Sequence, residues 1–258
     1  MKCVILAGGK GTRIAEESNT RPKPMVEIGS RPMLWHIMKL YASFGVREFI
    51  VCLGYKGYMV KEYFANYFLH QADVTFDMAR NQVEYHDCRS EPWKVTLVDT
   101  GEDTMTGGRL LQVGKYLTPG EAFCMTYGDG LADLDIGAEI AFHRERGLKA
   151  TVACVRPPAR FGRIAIEGTQ ATSFAEKPQT EGSLINGGFF VLEPGVLELI
   201  EGFATVWENQ PMESLAASGQ LGAWVHRGFW QPMDTLRDKQ HLNALWESGA
   251  APWKRWDG

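Results

Sequence analysis

Three glycines within four positions close the first apolar run of the chain, in Leu6-Ala7-Gly8-Gly9-Lys10-Gly11-Thr12-Arg13. Glycine lets backbone N–H groups approach a ligand with no Cβ in the way, which suits such a turn to phosphate oxygens. Arg13 adds a planar charged fork matched to phosphate. Ten residues on, Lys23 stands between Pro22 and Pro24. Proline fixes φ and restricts the residue before it, so this lysine sits on stiff backbone and can stay aimed at one point. Asp129 lies between Gly128 and Gly130, and Asp234 follows Pro232-Met233. Two carboxylates from distant sequence, a glycine loop and well-placed cations suit phosphoryl chemistry, in which Mg²⁺ takes one or two carboxylates together with substrate phosphate oxygens.

Each feature also has a structural explanation. The glycine turn could simply join a strand to a helix. Asp129 could hydrogen-bond its own turn, and Asp234 could cap a helix. Thr104 and Arg109, in Asp99-Thr100-Gly101-Glu102-Asp103-Thr104-Met105-Thr106-Gly107-Gly108-Arg109, could reach a base or phosphates, or belong to a surface loop capping the next helix. Asn186-Gly187-Gly188 interrupts an apolar strand, which marks either close approach of a ligand or a bulge. Two familiar phosphate loops fail on spacing. Lys10 precedes Gly11 where a Walker loop needs Gly-Lys-Ser/Thr, and position 14 is isoleucine where a dinucleotide loop needs glycine.

The elements that must position these residues follow from periodicity. Cys3–Ala7 and Glu48–Leu53 are apolar runs of strand length. Leu34, Ile37, Met38, Tyr41 and Phe44 share one helical face, with Ser30 as N-cap, Pro32 in the first turn and Gly45 as the stop. Val60, Tyr63, Phe64, Tyr67 and Phe68 mark a second helix. Strand, helix, strand, helix predicts a parallel sheet with right-handed crossovers. Further strands are expected near 74–78, 82–86, 95–98, 121–127, 149–155, 164–166, 172–175, 184–192 and 224–226. Helices are expected near 110–116, 136–146 (capped by Asp135), 194–201, 211–218 and from about 235 to 246. The fold class is α/β, a Rossmann-like, mostly parallel mixed sheet with helices on both faces and a small C-terminal helical region. No linker or repeat divides the chain.

Composition excludes several classes. At 258 residues, with 45% hydrophobic and 22% charged residues, the chain suits one globular domain. A net charge of −4 gives no general attraction to nucleic acid or anionic membranes. No apolar run approaches the ~20 residues of a spanning helix, and no secretory signal is evident. The cysteines at 3, 52, 88, 124 and 154 are odd in number and lack CxxC spacing, which reads as reduced thiols in a cytoplasmic protein. The tryptophans of Pro252-Trp253-Lys254-Arg255-Trp256 look exposed and suggest packing on a partner subunit.

The opening loop with Pro22-Lys23-Pro24, then Tyr127-Gly128-Asp129, Glu176-Lys177-Pro178 and Asn186-Gly187-Gly188, resembles the sugar-1-phosphate nucleotidylyltransferases in the order of that family's motifs. Longer runs carry the resemblance to the members that make CDP-glucose: Gly54-Tyr55-Lys56-Gly57-Tyr58, Val95 to Gly101, Thr106-Gly107-Gly108-Arg109 and Gly228 to Arg237. The resemblance covers essentially the whole chain. It implies a nucleotidyltransferase-type single domain over 1–258, with a nucleotide-binding part over about 1–135 and a sugar-phosphate-binding and oligomerisation part over about 136–258. It implies CTP and glucose 1-phosphate as substrates, CDP-glucose and pyrophosphate as products, Mg²⁺ as the ion, and a homo-oligomer, a hexamer, feeding dideoxysugar pathways of surface polysaccharides such as O-antigen. By the same carry-over, Arg13, Lys23 and Asp129 are catalytic and Asp129 and Asp234 hold the metal. Leu6, Ala7, Gly8, Gly9, Gly11, Thr12, Arg13, Lys23, Thr104, Arg109 and Gly128 meet the nucleotide; Glu176, Lys177, Asn186 and Gly187 hold the sugar phosphate. Lys10 carries no implied role. A UTP- or dTTP-using enzyme and a non-catalytic nucleotide-sugar sensor are the alternatives.

Overall fold

The computed structural model describes residues 1–11, 14, 17, 20–158, 163–175 and 184–256. The strand β1 (Lys2–Leu6) is buried from Cys3 onward, as an apolar run without polar alternation requires. Its side chains alternate between two cores. Cys3 and Ile5 join one and Val4 and Leu6 the other, so both faces of the sheet are covered. Beside β1 run β4 (Glu48–Leu53), β7 (Lys94–Asp99), β8 (Phe123–Tyr127), β10 (Ala150–Val155), β13 (Ile185–Leu192) and β14 (Leu221–Val225). Their order is β14-β10-β13-β8-β1-β4-β7. β1 pairs in parallel with β4 and β8, β4 with β7, and β10 with β14, whereas β13 is antiparallel to both neighbours.

Helices α1 (Met33–Ser43), α2 (Gly57–Ala65) and α7 (Leu236–Glu247) contribute Leu34, Ile37, Met38, Val60 and Leu242 to one core. The other core holds Leu110 and Val113 of α4 (Thr106–Val113), Leu215 of α6 (Gln210–Ala217), and Trp207. The helix α5 (Ile136–Arg146) starts, as expected, where Asp135 accepts from Ala138 N at 2.8 Å, and it ends at Gly147 with φ +60°. The hairpin of β11 (Arg163–Glu167) and β12 (Gln170–Ala175) turns at Gly168, also as expected.

The chain leaves β1 toward β4 and β7 and returns on the opposite side as β8. The boundary of β1 and β8 is therefore a switch point of an open α/β sheet, where ligands bind beyond the carboxyl ends of the strands. The loops after β1, β4, β7 and β8 open on that edge. Because β13 runs antiparallel, its first residues, Ile185 and Asn186, reach the same edge.

Several expected details are corrected. Ser30 does not cap α1. It turns, with Gly29 at φ +62°, between the two-residue strands β2 (Glu27–Ile28) and β3 (Arg31–Pro32), and Met33 N bonds to Val26 O at 2.9 Å instead. The helix expected over 60–68 breaks at Asn66 into α2 and α3 (Tyr67–Gln71), where the asparagine amide takes Glu62 O at 2.9 Å. The helix expected at 194–201 is a 3₁₀ helix over Pro194–Leu199. The tail tryptophans pack on their own chain. Trp253 is fully buried, stacks on Trp246 at 6.4 Å and donates from Nε1 to His36 Nδ1 at 3.3 Å, and Trp256 meets the Trp35 ring edge-on. A short C-terminal segment looks exposed in sequence because nothing local shows what covers it.

Candidate functional site

Two short strands that no sequence pattern announced build the floor of the site. β9 (Gly130–Ala132) follows directly on Asp129, and β15 (Trp230–Pro232) lies just before Asp234. They pair antiparallel with Pro232 opposite Gly130, and Met233 N bonds to Asp129 O at 2.8 Å. This ladder brings the two carboxylates together. Asp234 does not cap α7. Thr235 does, in a reciprocal capping box with Asp238, while Asp234 turns toward the cavity.

Lys23 meets both. Its Nζ donates to Asp129 Oδ2 at 2.8 Å and to Asp234 Oδ1 at 2.7 Å. The lysine begins a single 3₁₀ turn, Lys23–Met25, entered from Pro22 at φ −66°, so the stiffness expected of the proline pair is present. Lys23 and Asp234 are 7% and 8% exposed, which places this ion pair largely out of water, while Asp129 is half-buried. Low exposure strengthens each attraction and makes an unmatched charge costly. The ammonium of Lys23, expected to meet the nucleotide, lies here against the two carboxylates.

Above the triad is a cavity of about 680 Å³. Leu6, Ala7, Gly8, Gly9, Gly11, Lys23, Thr104, Arg109, Gly128, Asp129 and Asp234 all line it, so eleven of the residues singled out from sequence share one space. Thr12, Arg13, Glu176 and Lys177 lie outside the described residues. Asn186 and Gly187 do not line the cavity wall. Asn186 turns back on its own strand, where its Oδ1 accepts from Gly188 N at 2.8 Å and its Nδ2 donates to Tyr127 Oη at 3.3 Å. The β10–β13 register shifts at this point and Gly188 takes φ +81°, so the strand interruption is a bulge. An added Cβ at Gly188 would lie 2.5 Å from the Tyr127 ring.

Arg109 joins the wall in an unexpected way. It is 4% exposed, and its guanidinium donates to Leu53 O (3.0 Å), Thr100 Oγ1 (2.6 Å), Gly8 O (3.1 Å) and Glu102 O (3.2 Å). One side chain thus ties the ends of β1 and β4 to the loop after β7. A Cβ at Gly8 would sit 2.1 Å from that guanidinium, so a larger residue there would have to displace the clamp. The first turn of α4 gets its acceptors from a distant segment, with Met105 N on Phe203 O (2.9 Å) and Gly107 N on Thr205 O (3.0 Å). Lys10 reaches Asp103 at 3.0 Å across the mouth, a solvent-exposed pair that water screens.

Sequence reading missed Thr106, Tyr127, Trp230 and Pro232, all of which line the cavity. Trp230 and Pro232 stood in a run quoted for its resemblance, four and two residues before Asp234, which was the available signal. Among the described residues no group of three or more His, Cys, Asp or Glu is placed to hold a metal ion. Two carboxylates converging on one cation at 2.7 and 2.8 Å suit an ion bound through a pair of protein oxygens and completed by substrate phosphates, which is the habit of Mg²⁺.

The family model described as nucleotidyl transferase matches residues 2–218. The glucose-1-phosphate cytidylyltransferases of Salmonella typhi and of Salmonella typhimurium are each 60% identical to this chain over 257 residues, covering all of both proteins. The crystal structure of HddC from Yersinia pseudotuberculosis superposes with a TM-score of 0.69 at 23% identity, covering 95% of this chain and 99% of that one, a likeness of fold.

Proposed function

This chain belongs to the nucleotidyl transferase family, and we propose that it transfers a cytidylyl group from CTP to α-D-glucose 1-phosphate, releasing pyrophosphate and CDP-glucose. The observation that carries the proposal is the Lys23–Asp129–Asp234 triad at the floor of a cavity walled by the glycine loop. The choice of CTP and glucose 1-phosphate rests on the 60% identity to the Salmonella enzymes.

A sugar-phosphate oxygen attacks the α-phosphorus in line. One P–O bond forms there as the bond to the β-phosphate breaks, and pyrophosphate carries away the electron pair. The attacking oxygen is already ionised, so no general base is needed, and catalysis consists of positioning and charge neutralisation. Asp129 and Asp234 would hold Mg²⁺, which when bound neutralises charge between the two polyanions. The Lys23 ammonium is the cation this chain supplies at the same point, and Arg13 would serve the leaving phosphates. The backbone from Gly8 to Gly11 would meet the triphosphate, with Glu176, Lys177 and Asn186 on the sugar-phosphate side.

The protein would act as a homo-oligomer, a hexamer, in the cytoplasm, supplying surface-polysaccharide pathways such as O-antigen. Support for self-association comes from the hairpin of β5 (Asp73–Asp77) and β6 (Gln82–His86), which leaves Phe76, Met78, Val83 and Tyr85 exposed. A two-stranded ribbon is marginal alone in water and gains from a second copy. Pyrophosphate release from each of the four triphosphates with glucose 1-phosphate tests the assignment. CTP is expected to be the best substrate; equal or faster turnover with UTP or dTTP rejects it, and no turnover with any leaves a sensor.

A further inference from the structure

Behind the cavity wall sits the carboxylate of Glu208. Glu208 lies in the segment before α6 and is half-buried. Thr106 Oγ1 donates to its Oε2 at 2.6 Å, and the Tyr127 hydroxyl donates to its Oε1. Thr106 begins α4 on the wall that carries Thr104. Tyr127 ends β8, next to Gly128 and Asp129. Both donors line the cavity and Glu208 does not.

The polarity of this network is determined by its proton count. A hydroxyl has one proton to donate. Thr106 gives its proton to Glu208 and accepts from Trp207 N at 2.9 Å, and Tyr127 gives its proton to Glu208 and accepts from Asn186 Nδ2. The Asn186 amide is thereby oriented as well, since its oxygen receives Gly188 N. Burial pushes the Tyr127 phenol up, and the neighbouring Glu208 charge pushes it further, so the phenol keeps its proton. The same segment clamps the backbone of α4. An added Cβ on Gly108 would lie 2.3 Å from Phe203 O.

We propose that Glu208 is a positioning residue for the transfer, its two oxygens locking the 104–106 wall to the β8 end so that the nucleotide and sugar-phosphate sides of the cavity hold one alignment. This rests on the cytidylyl-transfer reading given above. Misplacing reacting groups by about 1 Å can cost on the order of 10²-fold in rate. Glutamine fills the same space but offers one acceptor oxygen and an NH₂, so only one of the two hydroxyls keeps its acceptor. Aspartate keeps both acceptors on a shorter arm.

The test is a set of variants, E208Q, E208D, Y127F and T106V, with E208Q also placed on the Y127F/T106V background. Each is assayed for pyrophosphate release and melted by circular dichroism. Expected for E208Q is a kcat roughly 10- to 100-fold lower, with each KM moved less than about three-fold and the melt within a few degrees of wild type. E208D should recover part of the loss, and E208Q should cost nothing further where both hydroxyls are already gone. An unchanged kcat in folded E208Q overturns the proposal, as do losses that multiply independently across the set or activity that falls only with the folded fraction. Equal or faster turnover of wild type with UTP or dTTP than with CTP would overturn the substrate assignment instead, and the same set run on that triphosphate still decides Glu208.

Discussion

Replacing Asp234 with asparagine separates charge from shape at the floor of the cavity. Asparagine keeps the size and one oxygen but loses the charge that faces Lys23 Nζ at 2.7 Å. Removing one preorganised electrostatic group of this kind costs about 10²–10³ in kcat, or ~3–4 kcal/mol of barrier. The stability cost is smaller. The ammonium still has Asp129 at 2.8 Å, so D234N does not strand a buried charge, and the loss should stay below the ~3–5 kcal/mol typical of that event. A loss of ~1–3 kcal/mol lowers the melting temperature of a domain this size by roughly 2–10 °C and leaves it folded at assay temperature. D129N sharpens the comparison. The Asp129 side chain is 33% exposed against 11% for Asp234, so solvent screens its attraction. The rate loss should be of the same order and the stability loss smaller. The measurements are Mg²⁺-titrated pyrophosphate release at saturating CTP and glucose 1-phosphate, and thermal melts of both variants. Wild-type turnover by D234N would remove Asp234 from the ion site, and a larger stability loss in D129N than in D234N would refute the burial argument.

Two further predictions concern the frame around the site. R109K replaces a planar fork engaged with four acceptors by a single ammonium with three donors. At least one bond is lost at ~1 kcal/mol, so urea unfolding should show a loss of about 1 kcal/mol or more together with a raised KM for CTP; an unchanged urea midpoint would discount the clamp. Stability against pH should bear two buried signatures. Burial lowers His36 to about 4 from 6.5, with Trp253 donating to its Nδ1. The native state disfavours the protonated ring, so this contribution is complete above pH 6.5 and is lost as pH falls toward 4. Burial raises Glu139 to about 8 from 4.5. Its contribution is complete below pH 4.5 and is lost as pH rises toward 8. Each has a slope of about 1.4 kcal/mol per pH unit, and they oppose one another between 4.5 and 6.5. From pH 6.5 to 8 the Glu139 slope stands alone, so E139Q should flatten the decline seen in wild-type urea midpoints over that range, and a parallel decline in E139Q would assign it to another group.

The elements that read cleanly from sequence are those whose partners are either local or generic. Glu48–Leu53 is a strand between the expected ends because any apolar run of that length, flanked by turns, is buried in an α/β sheet. Asp135 starts α5 as expected because cap chemistry acts within a turn. The helix around 66 failed for a local reason too, since Asn66 competes for a helix carbonyl with its own side chain. The contacts of Trp253, Arg109 and Glu208 were not legible. Each depends on a partner from distant sequence, as His36, Gly8 and Tyr127 show.

The residue types and their order suggested phosphoryl chemistry and carried the family resemblance, since the freedom of glycine, the stiffness of a lysine between prolines and the charge of an aspartate at a strand end travel with the residue. Tertiary structure alone decided that Asp129 and Asp234 face one lysine, because the β9–β15 ladder that joins them closes between segments about a hundred residues apart and leaves no periodic trace in either. A three-residue strand pairs through backbone groups that every sequence possesses, so its partner is chosen by the packing around it rather than by the residues within it.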